Sequence, residues 1–267
     1  MDCHDSPPAI DLVCLDPALH AAMPDRFASL LTGFRAGYAR TFCGDEAEAD
    51  AAWEARILGE PPPQPEMRIV AAVERSATQQ QLAGGVAVEY YRASGCALAT
   101  YLYVEDMGGH RRRGLGRRLV AAARAACEAL GPVHAQLAEV EWPQRMPQPP
   151  FAPDDVARAH ARLRFFARIG ARSVDIDYVQ PALAPGQQPV SWLRLLLLPG
   201  PAPVDDEALR GPLASFLDEF HAALSVQSGM TVDPATLARM KHGTATSRPL
   251  TMPLANASAA VREVEPP

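Results

Sequence analysis

Apolar positions recur along the chain with two periods, and the period changes mark the element boundaries. Ile10 to Leu15 forms a short apolar run that predicts a strand. From Pro24-Asp25 to about Thr41, Phe27, Leu30, Leu31, Phe34 and Tyr38 share one helical face, and Asp45 to Leu58 predicts a second, more acidic helix. Beyond the stiff Gly59–Pro65 connection come three strands at Met67–Val73, Leu82–Tyr91 and Cys96–Val104. Ala93-Ser94-Gly95 turns between the last two, which predicts an antiparallel meander. Within the second of them, Gly84-Gly85 allows a bend or close packing. A helix over Gly116–Leu130 places Leu119, Ala122, Ala123, Ala126 and Leu130 on one face and ends at Gly131-Pro132.

The second half continues with a strand at Val133–Glu141 and a Pro-rich loop, Trp142–Pro153. Next comes a helix capped by Asp154 and running to Ile169, which Gly170 ends. Strands at Ser173–Val179 and Val190–Leu198 follow. Two further helices, Asp205–Ser225 and Asp233–Lys241, carry apolar faces that need a partner surface. The Thr/Ser/Pro/Ala-rich stretch from Gly243 onward reads as a disordered tail. The division expected is a domain over 1–199 with its core at about 10–199, a helical extension over 200–243, and a tail over 244–267.

Between the third meander strand and the helix that follows it stands His110-Arg-Arg-Arg-Gly-Leu-Gly-Arg-Arg118, five arginines around two glycines. A strand, a glycine turn and a helix N-terminus expose backbone N–H groups with a partly positive helix end, an arrangement suited to phosphate. The loop is neither G-x-x-x-x-G-K-[ST] nor G-x-G-x-x-G, since the lysine and the third glycine are missing. Formal net charge is −6, so the basic cluster is local and favours a small phosphorylated ligand over a nucleic acid. No apolar run approaches the ~20 residues of a membrane span, and no signal-peptide pattern opens the chain, which reads as cytoplasmic. Five cysteines lack C-x-x-C pairing and point to neither a disulfide framework nor a zinc site.

The order Arg111-x-x-Gly114-x-Gly116, between a strand and a helix, resembles the pyrophosphate loop of the GCN5-related N-acetyltransferase (GNAT) superfamily. Leu137-Ala138-Glu139-Val140 resembles that family's fifth strand. Phe165-Phe166-Ala167-Arg168-Ile169-Gly170-Ala171 resembles its Phe-Tyr-x-x-x-Gly-Phe segment. The resemblance implies an α/β (α+β) acyl-CoA N-acyltransferase fold, with a mixed, mostly antiparallel central sheet of about seven strands flanked by helices.

It implies acetyl-CoA as acyl-donor cosubstrate and no metal. The acceptor is a primary amine of a small or amino-acid-like molecule, which attacks the thioester directly. Cofactor contacts are expected from Tyr103, Val104, Arg111, Arg112, Arg113, Gly114, Leu115, Gly116 and Arg117. Glu139, Tyr103 and Tyr178 are the catalytic candidates; a base distributed over bound water is the alternative. Tyr101, Glu141 and Gln180 are the candidates for contact with the acceptor.

Two departures stand out. Phe166 occupies the position of the family's proton-donating tyrosine, so the acid is either missing, replaced by Tyr178 or His160, or unneeded because a thiolate is already a fair leaving group. Seven residues separate Val104 from Arg111, where about five are usual in the family. The resemblance leaves a homodimer open. A second reading is a non-catalytic acyl-CoA-sensing module acting through a protein partner, with no nucleic acid or membrane involved in either case.

Overall fold

A computed structural model describes residues 9–42, 53–59, 65–75, 80–105, 114–147, 149–183, 186–229, 233–246 and 249–254. Eight strands form one sheet: β1 (Ile10–Leu15), β2 (Glu66–Arg75), β3 (Gln80–Tyr91), β4 (Cys96–Val104), β5 (Ala135–Glu141), β6 (Arg172–Val174), β7 (Leu193–Leu197) and β8 (Thr251–Pro253). Their order is β1-β2-β3-β4-β5-β7-β6-β8. The helices are α1 (Pro17–Ala22), α2 (Pro24–Thr41), α3 (Trp53–Leu58), α4 (Leu115–Glu128), α5 (Pro153–Ile169), α6 (Asp206–Ser228) and α7 (Pro234–Ala245). The result is the mixed, mostly antiparallel α/β architecture that the resemblance implies, with one more strand. None of the helices among the described residues is long and apolar enough to cross a membrane.

The chain divides into two compact units. The first comprises the described parts of 1–43, 49–89 and 99–130; the second comprises chiefly 90–98 and 131–267. In the first unit β1 pairs antiparallel with β2, Ile10 opposite Glu74 and Leu15 opposite Ile69. Helix α4 packs its Leu115, Leu119, Val120, Ala123 and Cys127 face inward. Helix α2 buries Phe27, Leu30, Leu31, Phe34 and Tyr38, the face its periodicity marks. Phe34, Tyr38, Phe42, Trp53, Tyr101 and Tyr103 form a connected ring cluster with centroids 4.7–5.7 Å apart. The buried Arg56 guanidinium is paired with Glu89.

In the second unit β5 and β7 pair antiparallel, Glu139 opposite Leu195, and β6 lies between β7 and β8. Leu209, Leu213, Phe216, Leu217 and Phe220 of α6 supply the face predicted to need a partner. They share one core with Tyr91, Leu98, Leu137, Tyr178, Leu193 and Leu195. Ala93 and Ser94, in the turn before β4, donate their N–H groups to Glu219 of α6 at 2.9 and 2.7 Å.

Several expectations need correction. Helix α5 starts at Pro153, so Asp154 lies in its first turn. The N-terminal contact is the Ala152 N–H donating to the Asp155 carboxylate at 2.8 Å. The strand expected over Ser173–Val179 stops at Val174. The Tyr178 N–H turns back onto the Ile176 carbonyl at 2.9 Å, which takes the chain out of the ladder. Among the described residues only the Gln180–Val190 bridge resumes pairing before β7, and that strand is Leu193–Leu197 rather than Val190–Leu198.

The expected tail contributes β8. Asp206 collects the Leu250 and Thr251 N–H groups at 2.7 and 3.2 Å and the Thr251 hydroxyl at 2.6 Å, and Leu250 and Leu254 are buried. That carboxylate is held below its usual range by these hydrogen bonds and by Arg172, against the opposing effect of burial. Of the acidic helix expected over Asp45–Leu58, Trp53–Leu58 is helical and the earlier part lies outside the described residues.

Candidate functional site

The first unit carries the loop-and-helix part of the predicted site. Gly114 is the N-cap of α4 with φ 70° and ψ 14°, a left-handed conformation that costs a side-chain-bearing residue free energy. Among the described residues no side chain caps this end, and the first turn holds no acidic residue, which suits an anion-binding terminus. Leu115 is buried, so only its backbone faces outward chemistry; Gly116 is half-buried and Arg117 exposed. Arg118 donates to the Ile10 carbonyl at 2.9 Å. Arg111, Arg112 and Arg113 lie outside the described residues.

At the end of β4, the Glu105 N–H donates to the Ala83 carbonyl at 2.9 Å, and the Glu105 carboxylate is paired with Arg40. The backbone of Tyr103 meets Gly84 so closely that a Cβ on Gly84 would lie 2.6 Å from the Tyr103 carbonyl oxygen. The Tyr103 side chain points into the ring cluster; its hydroxyl donates to the Phe34 carbonyl at 3.4 Å. Burial first, and then the Glu105 charge, hold its ionisation well above the usual tyrosine range. Tyr101 stacks on Trp53 and meets Tyr38 and Phe42 edge-on. Both tyrosines are thus engaged by α2 and α3, and the part of Tyr103 left for a ligand is its backbone. A groove of about 560 Å³ lies along α2, lined by residues including Thr32, Ala36, Arg40, Leu82 and Glu105. The Arg40–Glu105 pair on it spans 65 positions of sequence and has no local signal.

The second unit brings three predicted residues together. Glu139, next after Leu137 on one face of β5, accepts a hydrogen bond from the Tyr178 hydroxyl at 2.5 Å on Oε1. On Oε2 it accepts one from the Gln180 amide at 3.2 Å. Tyr178 is fully buried and Gln180 nearly so. Glu141, one step further on the same face, is paired with Arg162 of α5 instead. Phe166 is buried with no polar function to offer.

What sequence reading missed here is the support of the 175–180 segment by the C-terminal elements. The Val179 N–H donates to Met240 Sδ at 3.4 Å, and the Asp175 N–H to the Leu250 carbonyl at 2.8 Å. A Cβ on Gly243 would lie 2.9 Å from Ile176 Cγ2, so α7 sits hard against this segment. Beside it, the Arg194 guanidinium lies 4.4 Å from the Trp142 ring centroid, and burial, then Arg145, lowers its ionisation. No group of three or more His, Cys, Asp or Glu side chains able to hold a metal occurs among the described residues.

No family model and no curated protein matches the chain. Among solved structures it is similar to a GNAT-family protein from Bacteroides thetaiotaomicron, at 12% identity and a TM-score of 0.45, over 79% of this chain and 98% of that one. It is similar also to nourseothricin acetyltransferase, at 20% identity and a TM-score of 0.35, over 52% of this chain and 69% of that one. A third is a tandem GNAT protein from the clavulanic acid biosynthesis pathway, at 20% identity and a TM-score of 0.42, over 64% of this chain and 46% of that one.

Proposed function

We propose that the chain is a GNAT-type N-acetyltransferase that moves an acetyl group from acetyl-CoA to a primary amine of a small acceptor. The observation that carries this reading is the β4–loop–α4 unit. The Arg111-x-x-Gly114-x-Gly116 motif leads into a helix whose N-cap is a left-handed glycine with no side-chain cap. Those residues suit a pyrophosphate: backbone donors from Leu115, Gly116 and Arg117, and guanidinium groups from Arg111, Arg112, Arg113 and Arg117. Gly116 in the first turn of α4, and the lack of any atom of the described residues within 4 Å of a Cβ added at Gly114, are compatible with close approach of a ligand. Tyr103 and Val104 contribute backbone groups; the Tyr103 side chain is buried and that of Val104 half-buried.

Acetyl-CoA, when bound, supplies an activated thioester. The protein's own task is to deliver a neutral amine, because an ammonium has no lone pair. Glu139 is the proton acceptor in this reading, and Tyr178, hydrogen-bonded to it, is the adjoining donor. Overall the N–C bond forms, the C–S bond breaks, the amine gives up a proton and the departing sulfur takes one. Tyr101 and Glu141, engaged by Trp53 and Arg162, have supporting roles in this scheme; Gln180 stays beside the acceptor.

Calorimetric titration with acetyl-CoA, using CoA, ATP and NAD as controls, tests the cofactor assignment. Selective binding of acetyl-CoA or CoA, followed by thiol release with an amine panel, supports the proposal. Folded protein that binds none of them overturns it. Binding without turnover on any amine points to the sensing module instead.

A further inference from the structure

Gln180 is 6% exposed, and its two amide ends have different fates. Nε2 donates to Glu139 Oε2, while Oε1 is buried with no hydrogen-bond partner among the described residues. Turning the amide over does not relieve this, because the carbonyl would then face the carboxylate, acceptor against acceptor. Nor is the backbone free to move the group away. Gln180 and Val190 exchange both N–H···O bonds, at 2.9 and 2.8 Å, the neighbouring Val179 N–H is held by Met240, and Pro181 follows. A buried carbonyl without a donor is unfavourable and calls for an explanation.

The carbonyl belongs to the same amide that contacts the Glu139 carboxylate, so a neutral and an anionic acceptor occupy one small site. Both carboxylate oxygens already take a donor, from Tyr178 and from Gln180. The chemistry complementary to such a site is a group with several N–H bonds and a positive charge. A primary amine in its neutral, reacting form still has two N–H bonds: one for the Gln180 carbonyl and one for Glu139. An N-methylated amine has one, and an alcohol has one O–H; either can donate to only one of the two acceptors.

We propose that Gln180 Oε1 and the Glu139 carboxylate together recognise the acceptor as a primary amine, and that Gln180 is the residue that discriminates against secondary amines and alcohols. The proposal rests on the acetyltransferase reading of this site.

The test uses the full chain and Gln180→Met, which keeps the length of the side chain and removes both the carbonyl and the amide donor to Glu139. Thiol release is followed with matched sets of primary amines, their N-methyl derivatives and the isosteric alcohols. Wild type is expected to favour the primary amine by at least about tenfold in kcat/KM. In the variant, KM for the primary amine rises roughly 10- to 100-fold and the preference collapses. Acetyl-CoA affinity stays at the wild-type level. Unchanged KM and unchanged preference in Gln180→Met overturn the proposal and leave Oε1 to a bound water. Should acetyl-CoA bind and no amine turn over, the transferase reading fails separately. Direct calorimetric titration of the same sets then decides: weaker binding of the primary amine alone in Gln180→Met upholds the recognition, and equal binding overturns it.

Discussion

Replacing Gly37 by alanine tests the seating of Tyr103, on which the conformation of the β4 end depends. Gly37 lies inside α2, where alanine is intrinsically better by about 1 kcal/mol. A free helix face would therefore be stabilised. The structure predicts the opposite sign. A Cβ built on Gly37 falls under 3.0 Å from Cζ, Cε2 and the hydroxyl oxygen of Tyr103. That ring is 4% exposed, tilted against Phe34 at 5.4 Å, and tied through its hydroxyl to the Phe34 carbonyl. It has no open side to swing into.

Overpacking of this kind costs about 1–3 kcal/mol and occasionally more, and three overlaps put it at the upper end. After the helix gain is subtracted, a net loss of about 2 kcal/mol remains, equivalent to roughly 4–8 °C in Tm for a chain of this size. Thermal melting followed by circular dichroism reads it. Tyr103→Leu in the Gly37→Ala background should recover part of the loss, so the double variant is less destabilised than the sum of the singles. A Gly37→Ala protein as stable as wild type, or more so, refutes the packing argument, and with it the assignment of Tyr103 to the core rather than to catalysis.

Gly114→Asp is expected to weaken acetyl-CoA binding at least tenfold by calorimetry. Gly114→Ala, which meets only the strain of φ 70°, should lose less; equal losses would locate the effect in the backbone rather than in charge. Tyr178→Phe should lower kcat by roughly 10- to 100-fold while leaving acetyl-CoA affinity unchanged, because it removes one donor from Glu139 and nothing from α4. Burial pushes the thiols of Cys96 and Cys127 to about 12 and that of Cys14 to about 11. In a variant with Cys3 and Cys43 replaced by serine, a thiol reagent at pH 8 should label them only after denaturant is added. His221, 3% exposed, titrates near 4 because burial opposes its charged form, a little offset by Asp218. Between pH 6.5 and about 4 the unfolded chain binds more protons than the folded one. Stability should therefore fall as pH drops through that window, and His221→Leu should flatten the fall; a parallel pH profile of the variant would exclude His221 as its source.

Long periodic segments were legible because burial imposes a single period on them. α2 and the β2–β3–β4 meander appear within a few residues of where the apolar spacing puts them. The pairing of Glu139 with Tyr178 and Gln180 was only half legible. Side-chain alternation puts Glu139 and Glu141 on one face of β5 but does not tell which of them is spent on Arg162. Tyr101 and Tyr103 read as cleft residues because two tyrosines two apart share a face. That the face is covered by Phe34, Tyr38 and Trp53 is a tertiary fact with no local trace. β8 was missed for a similar reason. Three residues carry little pattern, and what fixes them is one carboxylate, Asp206, forty-five positions away from Thr251.

The loss of sheet pairing after Val174 explains why the chain needs its C-terminal elements. Residues on a strand have their N–H and C=O groups satisfied by neighbouring strands; a segment that leaves the ladder must find other partners for them. Between Val174 and Gln180, apart from the Tyr178 N–H on the Ile176 carbonyl, those partners are non-local. Leu250 takes the Asp175 N–H, Met240 takes the Val179 N–H, and the Ile176 side chain packs against the Gly243 backbone. Leu250 is itself fixed by Asp206 at the start of α6, and the Arg210 guanidinium holds the Thr244 carbonyl at 2.5 Å. α6, α7 and β8 thus close a set of contacts around the one irregular stretch that carries both Tyr178 and Gln180. On that stretch the Tyr178 hydroxyl meets one oxygen of Glu139 and the Gln180 amide the other.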